Sequence, residues 1–95
     1  MKAELVIISE YIKYSDIKLD FLSLLEENEL IHIYEIDNNR YLHHDELPEI
    51  EKYARLYYEL SINMEGIDVI HHLLNHIREM QDEMKDLKGR LKFYD

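Results

Sequence analysis

The sequence predicts a mainly α-helical domain with one short β hairpin and a long C-terminal helix of coiled-coil type. Apolar residues recur every three or four positions along most of the chain, which is the periodicity of amphipathic helices. Around positions 31–42 apolar and polar residues alternate instead, as in a hairpin. The 95 residues contain only two glycines and one proline, which leaves little for linkers. We therefore expect one domain, in which residues 1–62 form the short helices and hairpin and residues 63–95 the long helix.

Two short helices open the chain. Ser9 precedes a helical segment and has a hydroxyl suited to capping free amides, so we predict a first helix over about 9–15 with Ser9 as its cap. The stretch 19–28 repeats apolar residues at helical spacing and predicts a second helix. Because only a short polar turn separates them, the pair predicts a helix-turn-helix.

A hairpin and a third helix follow. Residues 31–36 alternate, Asp37-Asn38-Asn39 tolerate turn conformations, and Arg40-Tyr41-Leu42 can return as the second strand of a wing. His44 or Asp45 is the expected cap of the third helix, with Pro48 in its first turn. We expect this helix to end near residue 60 with an apolar stripe. The stripe consists of Leu47, Ile50, Tyr53, Ala54, Tyr57 and Leu60.

The last helix carries the most regular pattern in the chain. Asn63 is its expected cap, and Gly66 near its start indicates close packing that needs a small residue. A seam of apolar residues then repeats with spacings of three and four. The seam consists of Ile70, Leu73, Ile77, Met80, Met84, Leu87, Leu91 and Tyr94.

A helix from Met64 to about Tyr94 would be ~45 Å long, more than so small a core can cover. The seam therefore predicts homodimerisation through a coiled coil, with its orientation left open. The alternative is that the protein's own helices cover the seam, which suffices for Ile70 to Ile77 but not beyond Met80.

Charge limits the partners. The chain has 11 basic and 21 acidic residues and a formal net charge of −10, which repels phosphate backbones and favours a cationic partner. No stretch is long and apolar enough for a membrane span, and the run at residues 5–8 is too short for a signal peptide. The absence of cysteine fits a reducing compartment, so we expect a cytoplasmic protein that does not bind membranes.

No motif in the chain predicts catalysis. Asp68, His72 and His76 have the four-residue spacing that lets two imidazoles share a metal ion, but no HExxH sequence accompanies them. Two glycines cannot build a phosphate-binding loop, and the four serines have no arrangement that predicts a nucleophile. We therefore predict a binding protein without enzymatic activity, metal or other cofactor.

Eight tyrosines are an unusual number for this length. Tyr53, Tyr57 and Tyr58 share one predicted helix, where they could form an aromatic binding patch. The favoured alternative is that Tyr53 and Tyr57 belong to the core and only Tyr58 is exposed.

The order of elements resembles the MerR helix-turn-helix family. Residues 17–31 are similar to that family's second helix, which usually reads like VSPRTLRYYEELGLI, and residues 40–47 resemble its wing return and third-helix start, RRYSEEDL. The chain departs from the family at the residues that contact DNA. Asp20 and Ser23 stand where arginines are usual, and Leu24-Leu25 replaces a tyrosine pair. No basic residue occurs from Leu19 to Asn39, so we expect no binding to nucleic acid.

One further departure affects the shape of the turn after the second helix. Glu29 replaces the glycine that the family places before the final Leu-Ile. We therefore expect Asn28 to end the helix.

A branch of this superfamily, the chaperone-modulator CbpM family, resembles the chain more closely. Arg55-Leu56, Asn63 and Gly66-Ile67 match its hallmark region, here residues 53–74. The resemblance implies binding to the J-domain of a DnaJ/CbpA-like co-chaperone, which would occlude the surface offered to DnaK. The alternative function is a MerR-type transcriptional regulator that binds DNA.

Charge alone, not a family motif, selects the candidate partner-binding residues. J-domains present a basic helix, so acidic side chains near the hallmark region are the candidates. They are Glu46, Glu49, Glu59, Glu65 and Asp68, together with Tyr58. The alternative for each is a solvated helix face.

Overall fold

The computed structural model describes residues 4–94, and side chains through residue 92. In this part of the chain, four α-helices surround a small three-stranded antiparallel sheet, which confirms the mainly α fold. The elements in chain order are β1 (Leu5–Ile7), α1 (Ile8–Tyr14), α2 (Leu19–Glu27), β2 (Ile33–Ile36), β3 (Asn39–His43), α3 (Leu47–Ala54) and α4 (Met64–Tyr94).

The sheet has β3 at its centre, flanked by β1 and β2. The predicted hairpin is confirmed: β2 pairs with β3, and Asp37 and Asn38 between them have φ values of 52° and 68°. Positive φ at both central residues matches the right-handed twist of the strands. Strand β1 was not predicted, because its apolar run does not alternate and its partner β3 lies far along the chain.

Helix α1 begins differently from the prediction. It starts at Ile8, directly after β1, and Ile7 caps it with extended backbone and no side-chain hydrogen bond. Ser9 lies inside the helix, so its predicted capping role is wrong. The strand carries the chain straight into the first turn and leaves no position for a polar cap. At the other end, the Ser15 hydroxyl accepts a hydrogen bond from the Ile17 amide at 3.2 Å.

Helix α2 ends in a Schellman motif. The Leu30 amide donates to the Leu25 carbonyl, and the Glu29 amide donates to that of Glu26, each at 2.9 Å. Asn28 is the C-cap, as predicted, and Glu29 adopts φ 59°, a conformation that favours glycine.

The start of α3 differs from the prediction, because neither His44 nor Asp45 caps it: the helix begins at Leu47 after Glu46, without a side-chain capping hydrogen bond. The His43 side chain caps the turn before it, where its Nδ1 accepts a hydrogen bond from the Asp45 amide at 3.1 Å. His44–Glu46 form a 3₁₀ turn that leads into the helix. Pro48 lies in the first turn of α3, as predicted.

A π-helical turn, Arg55–Glu59, continues α3. This turn displaces the later side chains from the apolar stripe, and Leu60, a predicted stripe residue, is 63% exposed. The prediction for Leu60 is therefore wrong. The chain then reverses at Ser61, which has φ 57°.

The start of α4 confirms both predictions made for it. The Asn63 side-chain oxygen accepts a hydrogen bond from the Gly66 amide at 2.8 Å. A Cβ atom added to Gly66 would lie 2.7 Å from Ile62 Cγ2, so the close packing at this position favours a residue without a side chain, and any larger residue requires Ile62 to shift.

One hydrophobic core joins the helices and the sheet. The buried side chains are Ile8, Ile17, Phe21, Leu22, Leu25, Leu30, Ile31, Leu42, Ile50, Tyr53 and Ile67. Ile67 is the only one of these on α4, so most of that helix extends beyond the core and gives the molecule a long dimension of 58 Å. Across residues 4–94, no helix is long and apolar enough to cross a membrane.

Candidate partner-binding surfaces

Helix α2 presents a negative surface. Its outward residues Asp20, Glu26 and Glu27 are exposed, and Glu29 follows in the turn. The nearest cation on the hairpin, Arg40, lies 4.0 Å from Glu26, an exposed contact that neutralises only part of this charge. Leu24 is half-buried and Leu25 fully buried, so the pair that replaces the family's tyrosines faces the protein interior.

Three of the predicted partner-binding carboxylates already have contacts within the protein. Glu46 is half-buried and accepts a hydrogen bond from the His32 amide at 3.0 Å, which ties the start of α3 to the hairpin. Glu49 pairs with Lys52 at 3.0 Å. Asp68 lies 3.4 Å from His72, a one-turn contact along α4.

The charges of the same three carboxylates act on Tyr53. This side chain is 1% exposed, and its pKa is raised to about 12, first by burial and then by the negative charge of Glu49, Glu46 and Asp68. Arg78 acts in the opposite direction. The phenol therefore stays neutral at the bottom of an acidic surface.

A chain of hydrogen bonds leads from Tyr53 along α4, and the sequence did not predict it. The Tyr53 hydroxyl lies 2.8 Å from His71 Nδ1, and Asn75 Nδ2 lies 3.3 Å from His71 Nε2. Arg78 donates to Asn75 Oδ1 at 3.0 Å, which turns the amide nitrogen of Asn75 toward His71. Neutral His71 then carries its proton on Nδ1 and donates it to Tyr53. These contacts fix the first turns of α4 against α3.

Tyr58 and Glu59 lie elsewhere, on an open groove with a volume of about 640 Å³. The groove runs between α1, the turn after it, and the end of α3 with its π-helical turn. It is lined by Tyr11, Ser15, Asp16, Ile17, Lys18, Glu51, Ala54, Arg55, Tyr58 and Glu59. We call it the α1–α3 groove.

Tyr58 is 52% exposed at this groove. Its ring packs against Phe21 with centroids 5.2 Å apart and against Tyr57 at 5.1 Å. Partial burial, Tyr57 and Asp20 together raise the pKa of Tyr58. Tyr53 belongs to the core, Tyr57 packs against it and Tyr58 is exposed, which confirms the favoured prediction for the three tyrosines.

The structure thus separates the six candidate residues. Glu46, Glu49 and Asp68 act electrostatically on Tyr53, whereas Tyr58 and Glu59 line the α1–α3 groove. Glu65 is exposed in the first turn of α4 and lines neither place.

Sequence reasoning missed Tyr11, Asp16 and Glu51 as residues of the groove. The Tyr11 hydroxyl is buried without a hydrogen-bond partner among the described residues, and burial followed by the Glu51 charge raises its pKa. The spacing of Glu51, Arg55 and Tyr58 along one helix face was a usable signal. The residues that α1 contributes to the groove had no such signal in the sequence, because their position depends on tertiary packing.

The seam of α4 is largely uncovered. Ile70 is half-buried, but the exposed fractions rise to between 45% and 64% along the rest of the seam. These residues are Leu73, Ile77, Met80, Met84, Leu87 and Leu91. The alternative that the protein's own helices cover the seam as far as Ile77 is therefore wrong. The Tyr94 side chain lies outside the described residues, and dimerisation stays a prediction.

The histidines of α4 do not assemble a metal site in the described part of the chain. Over residues 4–94, no group of three histidine, aspartate or glutamate side chains is close enough to hold an ion. His72 contacts Asp68, and His76 is exposed.

Comparison with protein families identifies a matching family. A family model described as MerR HTH family regulatory protein matches residues 6–89, which spans the sheet, all the short helices and most of α4. Searches of curated proteins and of solved structures return no match.

Proposed function

Because the chain belongs to the MerR helix-turn-helix family of regulatory proteins, we propose that it regulates by binding a protein rather than DNA. The proposed partner is the J-domain of a DnaJ/CbpA-like co-chaperone in the cytoplasm, whose work with DnaK the bound chain would lower. The chain acts in this proposal as a binding protein without catalysis or a cofactor.

The observation that carries the proposal is the negative charge of α2. In a helix-turn-helix protein the second helix reads base edges in the major groove, and phosphate and base contacts depend on arginine and lysine. Here that helix exposes Asp20, Glu26 and Glu27. The sequence has no lysine or arginine from Leu19 to Asn39. A surface of this charge repels DNA and attracts a basic protein surface.

The residues that resemble the CbpM family support the proposal through the shape of one junction. Asn63 caps α4, Gly66 allows its close approach to Ile62, and Ile67 is fully buried. The resemblance therefore concerns how α4 leaves the core, whereas the choice of a basic partner rests on charge.

Calorimetric titration with the J-domain encoded in the same genome tests the proposal. We expect binding at about 50 mM NaCl that weakens strongly at about 500 mM, because salt screens contacts between exposed charges. The chain should also lower the J-domain's stimulation of DnaK ATP hydrolysis. A J-domain that shows no binding at low salt would contradict the proposal.

A DNA-binding regulator is the second candidate, favoured by the family match over residues 6–89. It predicts sequence-specific binding to promoter fragments, measured by fluorescence anisotropy at about 150 mM salt, where weak electrostatic contacts are screened. Specific binding of this kind would favour it over the J-domain proposal.

We also propose that the chain forms a homodimer through the seam. Support comes from the exposed apolar residues between Leu73 and Leu91 and their spacing of three and four residues. A second copy presents the same apolar stripe and would cover it. In a parallel pair, Glu83 of one copy meets Lys88 of the other, but the seam leaves the orientation open.

A further inference from the structure

The α1–α3 groove combines aromatic and aliphatic walls with charged rims. Tyr11 contributes one wall from α1, and Ala54 and Tyr58 contribute the opposite wall. Ile17, from the turn between α1 and α2, is 7% exposed and lies in the core beneath. A volume of about 640 Å³ is large enough for one or two long side chains of another protein.

The π-helical turn determines which side chains lie at the rim of this groove. It places Tyr58 half-exposed and Glu59 exposed where a continuing α-helix would have kept the apolar stripe in phase. Turns of this kind cost regular helical hydrogen bonding and occur frequently at functional sites. The π-helical turn therefore shapes the rim of the α1–α3 groove.

The charges of the groove are exposed and free of close internal pairs. Asp16, Glu51 and Glu59 form no ion pair within 4.0 Å with any other described residue, and the same holds for Lys18 and Arg55. Three carboxylates against two cations leave the groove negative, on a chain that is itself strongly acidic.

Negative charge prevails at the Tyr11 wall in particular. Besides burial, the Glu51 carboxylate raises the pKa of Tyr11, and neither Lys18 nor Arg55 opposes it. Tyr11 and Tyr58 line the same groove, and aromatic rings attract cations. The Tyr11 side of the groove therefore suits an ammonium or guanidinium group.

We propose that the α1–α3 groove receives a lysine or arginine side chain of the protein partner, whose cationic end pairs with Glu51 while Glu59 adds negative charge at the rim, and whose aliphatic stem lies between Tyr11 and Tyr58. This assignment rests on the proposed function, because it names the place where a basic protein surface docks. It moves the contact away from Glu46, Glu49 and Asp68, which already serve contacts within the protein.

Charge reversal in both directions tests the groove, with the J-domain from the same genome as the probe. In the double variant Glu51→Lys/Glu59→Lys we expect the Kd at about 50 mM NaCl to rise about tenfold or more, since like charges now face each other. Lys18→Glu should lower the Kd severalfold. Both differences should shrink at about 500 mM NaCl.

The control is Asp82→Lys/Glu35→Lys, which reverses two exposed carboxylates on α4 and β2, outside the groove, for the same change in net charge. It should bind more tightly than the groove variant, and all variants should melt within a few degrees of the unaltered chain. A groove variant that binds as well as the control, or a Lys18→Glu variant that binds more weakly, overturns the groove assignment alone. An unaltered chain that binds no J-domain removes the proposed function and the groove assignment with it.

Discussion

Two tyrosines show how one side-chain type serves the fold in opposite ways. The Tyr53 hydroxyl is buried and lies within hydrogen-bond distance of His71. The Tyr11 hydroxyl is also buried but has no partner among the described residues. Because a buried polar group without a hydrogen bond costs free energy, these two hydroxyls should contribute to stability with opposite sign.

Replacing each tyrosine by phenylalanine tests this difference. Tyr53→Phe should lower the free energy of unfolding by about 1 kcal/mol, since it removes a hydrogen bond and leaves His71 Nδ1 unpaired. Tyr11→Phe should leave the free energy of unfolding unchanged or raise it by up to about 1 kcal/mol, because it removes only an unsatisfied group. Urea denaturation at neutral pH measures both, and equal losses in the two variants would contradict the assignment.

The raised pKa of Tyr53 predicts a loss of stability in alkali. Its pKa is about 12 in the fold against 10 in the unfolded chain, so the unfolded state releases this proton first as pH rises. The stabilisation is complete below pH 10 and is lost as pH rises through the folded pKa. The loss is on the order of 2 kcal/mol.

Comparison with Tyr53→Phe separates the loss of stability due to Tyr53 from that due to other groups, because this variant keeps the other tyrosines and the lysines. Urea denaturation at several pH values between about 8 and 12 should show the two stability curves converging above pH 10 and then crossing, because the alkaline loss of about 2 kcal/mol exceeds the advantage of about 1 kcal/mol at neutral pH. Parallel curves would mean that Tyr53 titrates alike in the folded and unfolded states.

At the scale of the element, helix ends hold conformations that side chains do not prefer. Glu29 completes the Schellman motif of α2 with φ 59°, a conformation that is unfavourable for a residue with a Cβ atom and favourable for glycine. Its side chain is exposed, so little packing compensates for the strain.

Glu29→Gly should therefore raise the free energy of unfolding by about 0.5–1 kcal/mol. The matched control is Glu27→Gly, two residues earlier inside the exposed last turn of α2, which should lower it by about 0.5–1 kcal/mol because glycine is a poor helix former. Thermal or urea denaturation of both variants gives the sign. Destabilisation by Glu29→Gly would show that the carboxylate side chain contributes more than the strain costs.

The two glycines of α4 make an internal comparison of packing against helix propensity. A Cβ at Gly66 would lie 2.7 Å from Ile62 Cγ2 and 3.2 Å from Asn63 Oδ1, so Gly66→Ala displaces both the junction and the cap. We expect it to lower the free energy of unfolding by about 1–2 kcal/mol even though alanine favours helices.

At Gly89 an added Cβ meets nothing within 4 Å. Gly89→Ala should raise helix stability by up to about 1 kcal/mol through propensity alone. Circular dichroism melts of the two variants should shift in opposite directions. A Gly66→Ala variant as stable as the unaltered chain would mean that Ile62 moves aside at no cost.

Elements that depend on local signals could be predicted from the sequence, and elements that depend on distant partners could not. Periodicity predicted α2 and α4, and the turn residues Asp37 and Asn38 predicted the hairpin, because those signals lie within a few adjacent residues. Strand β1 could not be predicted, because it pairs with β3, which lies far along the chain. The π-helical turn could not be predicted, because no residue type in 55–59 encodes it. The exposure of Leu60, which depends on that turn, could not be predicted either.

The candidate site divides in the same way. Charge and aromatic content selected Tyr58 and Glu59, which do line the groove. Tyr11 and Asp16 reach it only because α1 and its following turn fold against α3. Glu46 was selected for its charge, yet its carboxylate accepts a hydrogen bond from the hairpin, a contact set by tertiary structure.

On the scale of the whole molecule, α4 projects a hydrophobic stripe away from a small core. A row of apolar residues with about half of each residue exposed to water is costly, and isolated long helices are marginal without a packed face. A second chain that covers the seam removes both costs. In the proposed dimer, α4 joins two copies of the small core, each of which carries the proposed groove for a partner.

Met84 lies in the middle of the exposed seam and is 55% exposed, so Met84→Lys places a charge where a second helix would pack. We expect the unaltered chain to have about twice the 11.6 kDa monomer mass at ~100 µM by light scattering after size-exclusion chromatography. Met84→Lys should be a monomer, with a lower melting temperature that no longer depends on concentration.

Asp82→Lys is the matched control, because Asp82 is exposed on the same helix but is not a seam residue. It should leave the dimer intact. An unaltered chain of monomer mass at this concentration would contradict the proposed dimer and would leave the groove assignment unaffected. A dimer that survives Met84→Lys would instead place the contact between copies outside the seam, and the exposed apolar stripe would then remain available to a different helix.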